Sequence, residues 1–257
     1  MSNSSQVKRN MLTKARLRIS QLKAEALYRL RARMRSHGHC QPAKFVIIGT
    51  IRSGSTMLTR ILNQHPAATC FYEPFHMDTT SIAFNVVGFE RMQRSKRAIQ
   101  LRNDYPITFV NQYIFRNWHS DTIKAVGFKL LYTQARQDSW WKTGEFESWW
   151  DHCGFPPTYG SSTRDLWQYL SDDQSIKVIH IKRINKVEAV LSAQTAINSG
   201  AWGDGASGGF KDSRDRKYIS PEIISLTIKE NALFESDVYE RFTQNRLLAI
   251  TYEELKD

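Results

Sequence analysis

Arg52, Ser53, Gly54, Ser55 and Thr56 stand in an unbroken row, two residues after an apolar run, Phe45-Val-Ile-Ile48, and Gly49. The apolar run is rich in β-branched residues and reads as a buried strand. From Thr56 to Asn63 the pattern turns helical, with Met57, Leu58, Ile61 and Leu62 on one side. A strand, a loop of small residues and a helix start make an anion cradle. Small residues let the backbone approach a ligand closely. The N–H groups at the helix start and the helix dipole favour a phosphate there.

The spacing matches the nucleotide-binding pattern Gly-x-x-x-x-Gly-Lys-Ser/Thr at Gly49, Gly54 and Thr56. The lysine position is Ser55, so the main charge for β- and γ-phosphates in a Mg²⁺-dependent NTPase is missing. The positive charge comes earlier, at Arg52. The loop is therefore expected to hold a single 5′-phosphate group rather than a triphosphate with its metal. The plainer reading is an ordinary strand–turn–helix corner.

Arg52-Ser-Gly-Ser-Thr-Met-Leu58 resembles the 5′-phosphosulfate loop of sulfotransferases that use 3′-phosphoadenosine 5′-phosphosulfate (PAPS). The fuller run, through Leu62-Asn-Gln-His-Pro66 to Phe71-Tyr-Glu-Pro-Phe75, resembles the Golgi carbohydrate sulfotransferases and the bacterial trehalose and nodulation-factor enzymes. In pieces the likeness extends from about Lys44 to Glu254. It implies that Glu73 is the catalytic base. His76 is the runner-up, since cytosolic sulfotransferases of steroids and phenols use a histidine. It also implies a 3′-phosphate site at Arg183 and Ser192, and a cofactor-binding set of Arg52, Ser53, Gly54, Ser55 and Thr56. No metal is expected.

The elements that must position these residues are legible in turn. Ala67 to Phe71 reads as a second strand, with Glu73 just beyond its end and before Pro74; ligands of open α/β sheets sit outside such strand ends. Ile107 to Trp118 reads as a helix and residues 123–131 as a strand in which Lys129 alternates with apolar neighbours. The role of Lys129 stays open between structural and substrate-facing. Asp165 to Leu170 reads as a short amphipathic helix. Ile176 to Arg183 is a strong strand, and Asn185 to Ile197 a helix. Ser220-Pro-Glu222 starts another helix, running to about Gln244, with Pro at its first position. Leu247 to Ile250 is the last strand. The aromatic stretch from Ser139 to Trp167 reads as a satellite core or a surface for the acceptor. His152 and Cys153 read as structural. Residues 203–217, with four glycines, read as a loop over the cofactor.

Length and composition bound the rest. A chain of 257 residues suits one large α/β domain. The net charge is +11, but ten Lys/Arg against one Glu lie before Lys44, so about +9 belongs to that arm. This concentration argues against nucleic acid as the partner of the domain itself. Residues 7–36 carry Leu12, Ala15, Ile19, Leu22, Ala26 and Leu30 at helical spacing. That helix reads as a packing or homodimerising element, or as a peripheral contact with anionic lipid. Three scattered cysteines show neither a disulfide framework nor a metal pair. No run of about 18 apolar residues is present, and the N-terminus lacks a signal-peptide core; a cytoplasmic protein is expected.

The expected architecture is a P-loop-like three-layer α/β domain, residues 44–257, with a mostly parallel sheet, helices on both faces and a basic helical arm at 1–43. The expected activity is transfer of the sulfuryl group of PAPS to a hydroxyl of a carbohydrate, glycolipid or small polar natural product. The alternative is a degenerate P-loop kinase or nucleotide-binding regulator; a nucleic-acid-binding protein is a weaker third.

Overall fold

A computed structural model describes residues 41–76, 82, 92–116, 122–134, 162–199 and 220–256. The N-terminal arm, the glycine-rich loop and the aromatic stretch up to Tyr159 lie outside these residues. Among the described residues, five strands form one all-parallel sheet: β1 (Ala43–Gly49), β2 (Ala68–Phe71), β3 (Ala125–Leu131), β4 (Lys177–Lys182) and β5 (Leu247–Thr251). Their spatial order is β2-β3-β1-β4-β5, so the strand before the phosphate loop is central. The expected three-layer arrangement is the one observed.

Central position explains the apolar run of β1. Parallel strands covered on both faces read as continuous hydrophobic segments. Val46 and Ile48 point to one face and join Phe128, Val178, Phe234 and Phe242. Phe45 and Ile47 point to the other, with Leu58, Cys70 and Ile181. The first face is covered by α4 (Ser162–Asp172) and α6 (Pro221–Arg241), the second by α1 (Ser55–Gln64). Trp167, the described member of the aromatic stretch, is core on α4. Its ring meets Phe242 edge-on and its Nε1 donates to Asp237 at 3.3 Å.

Three boundaries are instructive. In place of the helix expected over 107–118, a four-residue α3 (Pro106–Phe109) follows α2 (Lys96–Asp104) and runs into a wide π turn over Val110–Ile114, closed by Phe115 N–H on the Val110 carbonyl at 2.9 Å. Pro106, at the first helical position, has no N–H to carry a helix through from α2. Asn185 caps α5 (Lys186–Ser199), accepting the Glu188 N–H at 3.0 Å. Asn63 near the end of α1 clamps β2: its side chain accepts the Cys70 N–H at 2.7 Å and donates to the Cys70 carbonyl at 2.8 Å.

Register puts the functional segments on one edge. Gly49 pairs with Leu131 on one side and with Ile181 on the other, so three chains leave the sheet at the same level. Phe71 pairs with Phe128, which carries Tyr72 and Glu73 alongside Lys129. The pairing needs Gly127: a Cβ there would stand 2.4 Å from the Phe45 carbonyl oxygen and 2.4 Å from the Phe45 ring. Gly127→Ala must therefore push β1 and β3 apart, and is expected to cost about 1–3 kcal/mol. Urea unfolding reads this directly, and an unchanged midpoint would contradict the register.

His180 on β4 is fully buried. Burial, then the charges of Lys182 and Lys186, pull its pKa down to about 3. In the unfolded chain it takes its proton near the ordinary value of 6.5. Between those values the unfolded state binds more protons, so stability falls as pH drops below about 6.5. Unfolding free energies at pH 7.5 and 5 should differ more in the wild type than in His180→Gln; equal differences would show that His180 contributes no such dependence.

Candidate active site

The loop between β1 and α1 breaks local rules in a consistent direction. Arg52 has φ 59°, a left-handed backbone that costs a non-glycine residue about 1–2 kcal/mol. Gly54 has φ 87° and stands at the helix N-cap. Gly54 has no side chain with which to cap α1, and no acidic residue occupies the first turn. The first N–H groups of a helix have no partner within it, so those of Ser55, Thr56 and Met57 have none in α1. Ser53 and Ser55 are buried beneath the loop, Ser53 Oγ donating to the Thr50 carbonyl at 2.7 Å. Gly49 is required by closeness: a Cβ there would lie 2.6 Å from the Ile181 carbonyl oxygen.

Arg183 leaves β4 next to this loop. Its side chain is 8% exposed. One terminal nitrogen donates to the Arg52 carbonyl at 3.3 Å; the other pairs with Glu188 at 2.6 Å. The group lies 4.6 Å from the centre of the Tyr252 ring. Its Nε is buried without a hydrogen-bond partner among the described residues. Such a donor is expensive to bury unless something accepts from it. Ser192, on α5, accepts from Arg52 Nε at 2.8 Å, so the two halves of the expected nucleotide site touch. Tyr252 joins them from the segment after β5. Its ring fills the space beside Gly54, where a Cβ would stand 2.5 Å from it.

Glu73 is buried at 7% exposure, and its carboxylate is held on both oxygens. Lys129 Nζ pairs with Oε1. Gln134 Nε2 donates to Oε2 at 3.0 Å. Lys129 is itself only 3% exposed, an ammonium inside the sheet that needs a counter-charge. It also donates to Thr56 Oγ1 at 3.0 Å and sits 4.3 Å from the centre of the Tyr72 ring. Tyr72 OH and Thr56 Oγ1 share a further hydrogen bond at 3.0 Å. One lysine thus joins the carboxylate to the phosphate loop. Such a cluster can hold an anion at the loop and take a proton beside it.

Arg52, Ser53, Gly54, Ser55, Thr56, Arg183, Ser192 and Glu73 therefore converge on one edge of the sheet. His76 does not enter the Lys129 cluster. Its imidazole is on an exposed residue, and its backbone N–H closes a turn on the Glu73 carbonyl at 3.0 Å. Lys129 is buried between Glu73 and the phosphate loop, although its role was open in sequence. Gln134, Tyr72 and Tyr252 were not singled out there. The alternation of Lys129 with apolar neighbours was the one signal that could have pointed to a buried charge and hence to a partner. Cys70, behind Lys129, is buried, and burial pushes its thiol up to about 12, which disfavours the thiolate.

No curated protein matches the chain. A family model described as the sulfotransferase family matches residues 42–257. That match takes in the uncapped loop, the Glu73–Lys129 pair and Arg183 with its buried donor, and the chain belongs to the sulfotransferase family.

Proposed function

We propose that this chain transfers the sulfuryl group of PAPS to a hydroxyl of a carbohydrate, glycolipid or small polar natural product, by in-line displacement with Glu73 as base. The observation that carries the reading is the pairing of an uncapped helix start with Arg183, whose buried Nε lacks a partner among the described residues. Two anion-receptive sites on one edge suit a nucleotide with phosphates at two positions. The left-handed backbone at Arg52 and Gly54 suits a loop shaped to turn its N–H groups toward an anion.

PAPS supplies the sulfuryl group. Arg52 and the N–H groups of Ser53 to Thr56 would hold the 5′-phosphosulfate and meet the charge that collects on the departing phosphate. Arg183, with Ser192, would hold the 3′-phosphate through charge-assisted hydrogen bonds. Glu188 competes with that phosphate for Arg183, and its side chain is 60% exposed, free to swing into solvent. Glu73 accepts the acceptor's hydroxyl proton as the new oxygen–sulfur bond forms and the sulfur–phosphate oxygen bond breaks. Lys129 holds the carboxylate and touches Thr56, so proton acceptance and anion binding share one ammonium.

Two measurements test this. Calorimetry without Mg²⁺ should show that adenosine 3′,5′-bisphosphate binds far more tightly than AMP, and that Arg183→Ala erases about tenfold or more of that preference. A preference that survives Arg183→Ala would mean that the 3′-phosphate binds elsewhere; a preference for Mg-ATP would favour a kinase relative. Single-turnover transfer from radiolabelled PAPS to sugars and glycolipids of a cell extract should fall ~10²–10⁴-fold in Glu73→Gln with nucleotide affinity kept. Retained transfer in Glu73→Gln, with loss in His76→Ala, would move the base to His76.

A further inference from the structure

Gln134 grips Glu73 in a fixed sense. Its Oε1 accepts the Leu131 N–H at 3.0 Å, and a backbone N–H can only donate. The amide nitrogen must therefore be the atom that faces Glu73 Oε2. Yet Gln134 lies in a short 3₁₀ turn, Tyr132–Gln134, past the end of β3, where no strand ladder holds the backbone. What holds the turn is its first side chain. Tyr132 is 2% exposed. Its ring stacks on Phe234 of α6 at 5.0 Å and 18°, and its hydroxyl lies 2.6 Å from Nε2 of His180 on β4. His180 is braced in turn by the edge of Tyr239, 5.1 Å away.

Packing alone explains the ring of Tyr132 but not its hydroxyl. Stacked aromatic faces can slide over one another at little cost. A hydrogen bond to a ring fixed in the middle of a sheet stops that sliding. Burying a hydroxyl and an imidazole is costly unless they are paired, and a Phe–Leu pair would fill similar space without that cost. His180 Nδ1 also stays without a hydrogen-bond partner among the described residues, so the imidazole is kept there at a further cost. We infer that Tyr132, braced by His180, is a positioning residue for Glu73: it fixes the turn from which Gln134 orients the carboxylate. This rests on the reading of Glu73 as base given above.

Tyr132→Phe keeps the ring and removes the brace. With radiolabelled PAPS and trehalose as the acceptor probe, its single-turnover rate should fall about tenfold, the scale of a small misplacement of a reacting group. Affinity for adenosine 3′,5′-bisphosphate and KM for PAPS should stay within about twofold. In a Gln134→Ala background, Tyr132→Phe should lower the rate no further, because its effect passes through Gln134. An equal fall in both backgrounds, or an unchanged rate, would overturn the inference. A ligand-free measurement separates it from the base assignment. The Leu131 N–H, held by Gln134, should exchange with solvent about tenfold faster in Tyr132→Phe. If Leu131 exchange rises but the wild type transfers nothing from PAPS to any acceptor, the brace stands and the assignment of Glu73 falls. If Leu131 exchange is unchanged, the brace is wrong whatever the activity.

Discussion

An ammonium buried inside a β-sheet sets the terms for the edge that carries the candidate site. Lys129 is flanked on β3 by Phe128 and Leu130, which face the opposite core. On its own side it has no water to speak of, and an unpaired charge there would be prohibitive. Glu73, Thr56 and Tyr72 supply the missing partners. Those partners come from the segment after β2 and from the start of α1. The pair therefore demands that β2 lie beside β3 in one register and that α1 begin where it does. Replacing a buried pair by apolar residues is often neutral or stabilising. Keeping it here is understandable as a cost borne for position rather than for stability.

The other irregularities gather around the same edge. A left-handed arginine, a helix start without a side-chain cap, and an arginine with a buried orphan donor are each unfavourable alone. They lie along one stretch of the sheet's carboxyl edge, linked through Arg52: its carbonyl accepts from Arg183, and its side chain donates to Ser192. Departures from local rules that cluster in this way are expected at a binding or catalytic site. An anion would relieve several of these costs together, by accepting from the loop N–H groups and from Arg183. That is a physical reason to expect the ligand to be doubly anionic and extended along the edge.

How much of this was legible in the chain depended on the range of each interaction. The phosphate loop was legible because strand, turn residues and helix pattern are contiguous from Phe45 to Leu62. The strand ending at Arg183 was equally plain, and Asn185 marked the helix that follows. The parallel sheet followed from alternating strand and helix segments. Lys129 was visible as a charge among apolar residues, but its partners lie 56 and 73 positions away, taking Glu73 and Thr56 in turn. Periodicity carries no information at that distance. Gln134 and Tyr252 had no local signature at all, because a glutamine in a turn and a tyrosine after a strand are ordinary until the fold sets them against Glu73 and Gly54. The π turn at Val110 was missed for a related reason: a helix that widens keeps the same apolar spacing over so short a run.

The central claim is that one sheet edge holds both ends of a nucleotide, with Glu73 beside one end and not the other. A crystal structure of the protein with adenosine 3′,5′-bisphosphate tests it most directly. The account predicts the 5′-phosphate on the N–H groups of Ser53 to Thr56, with the Lys129–Glu73 pair at its side. It predicts the 3′-phosphate against Arg183 Nε, with Glu188 displaced from the guanidinium. A 3′-phosphate in solvent with Arg183 still paired to Glu188, or a 5′-phosphate away from the loop, would contradict it.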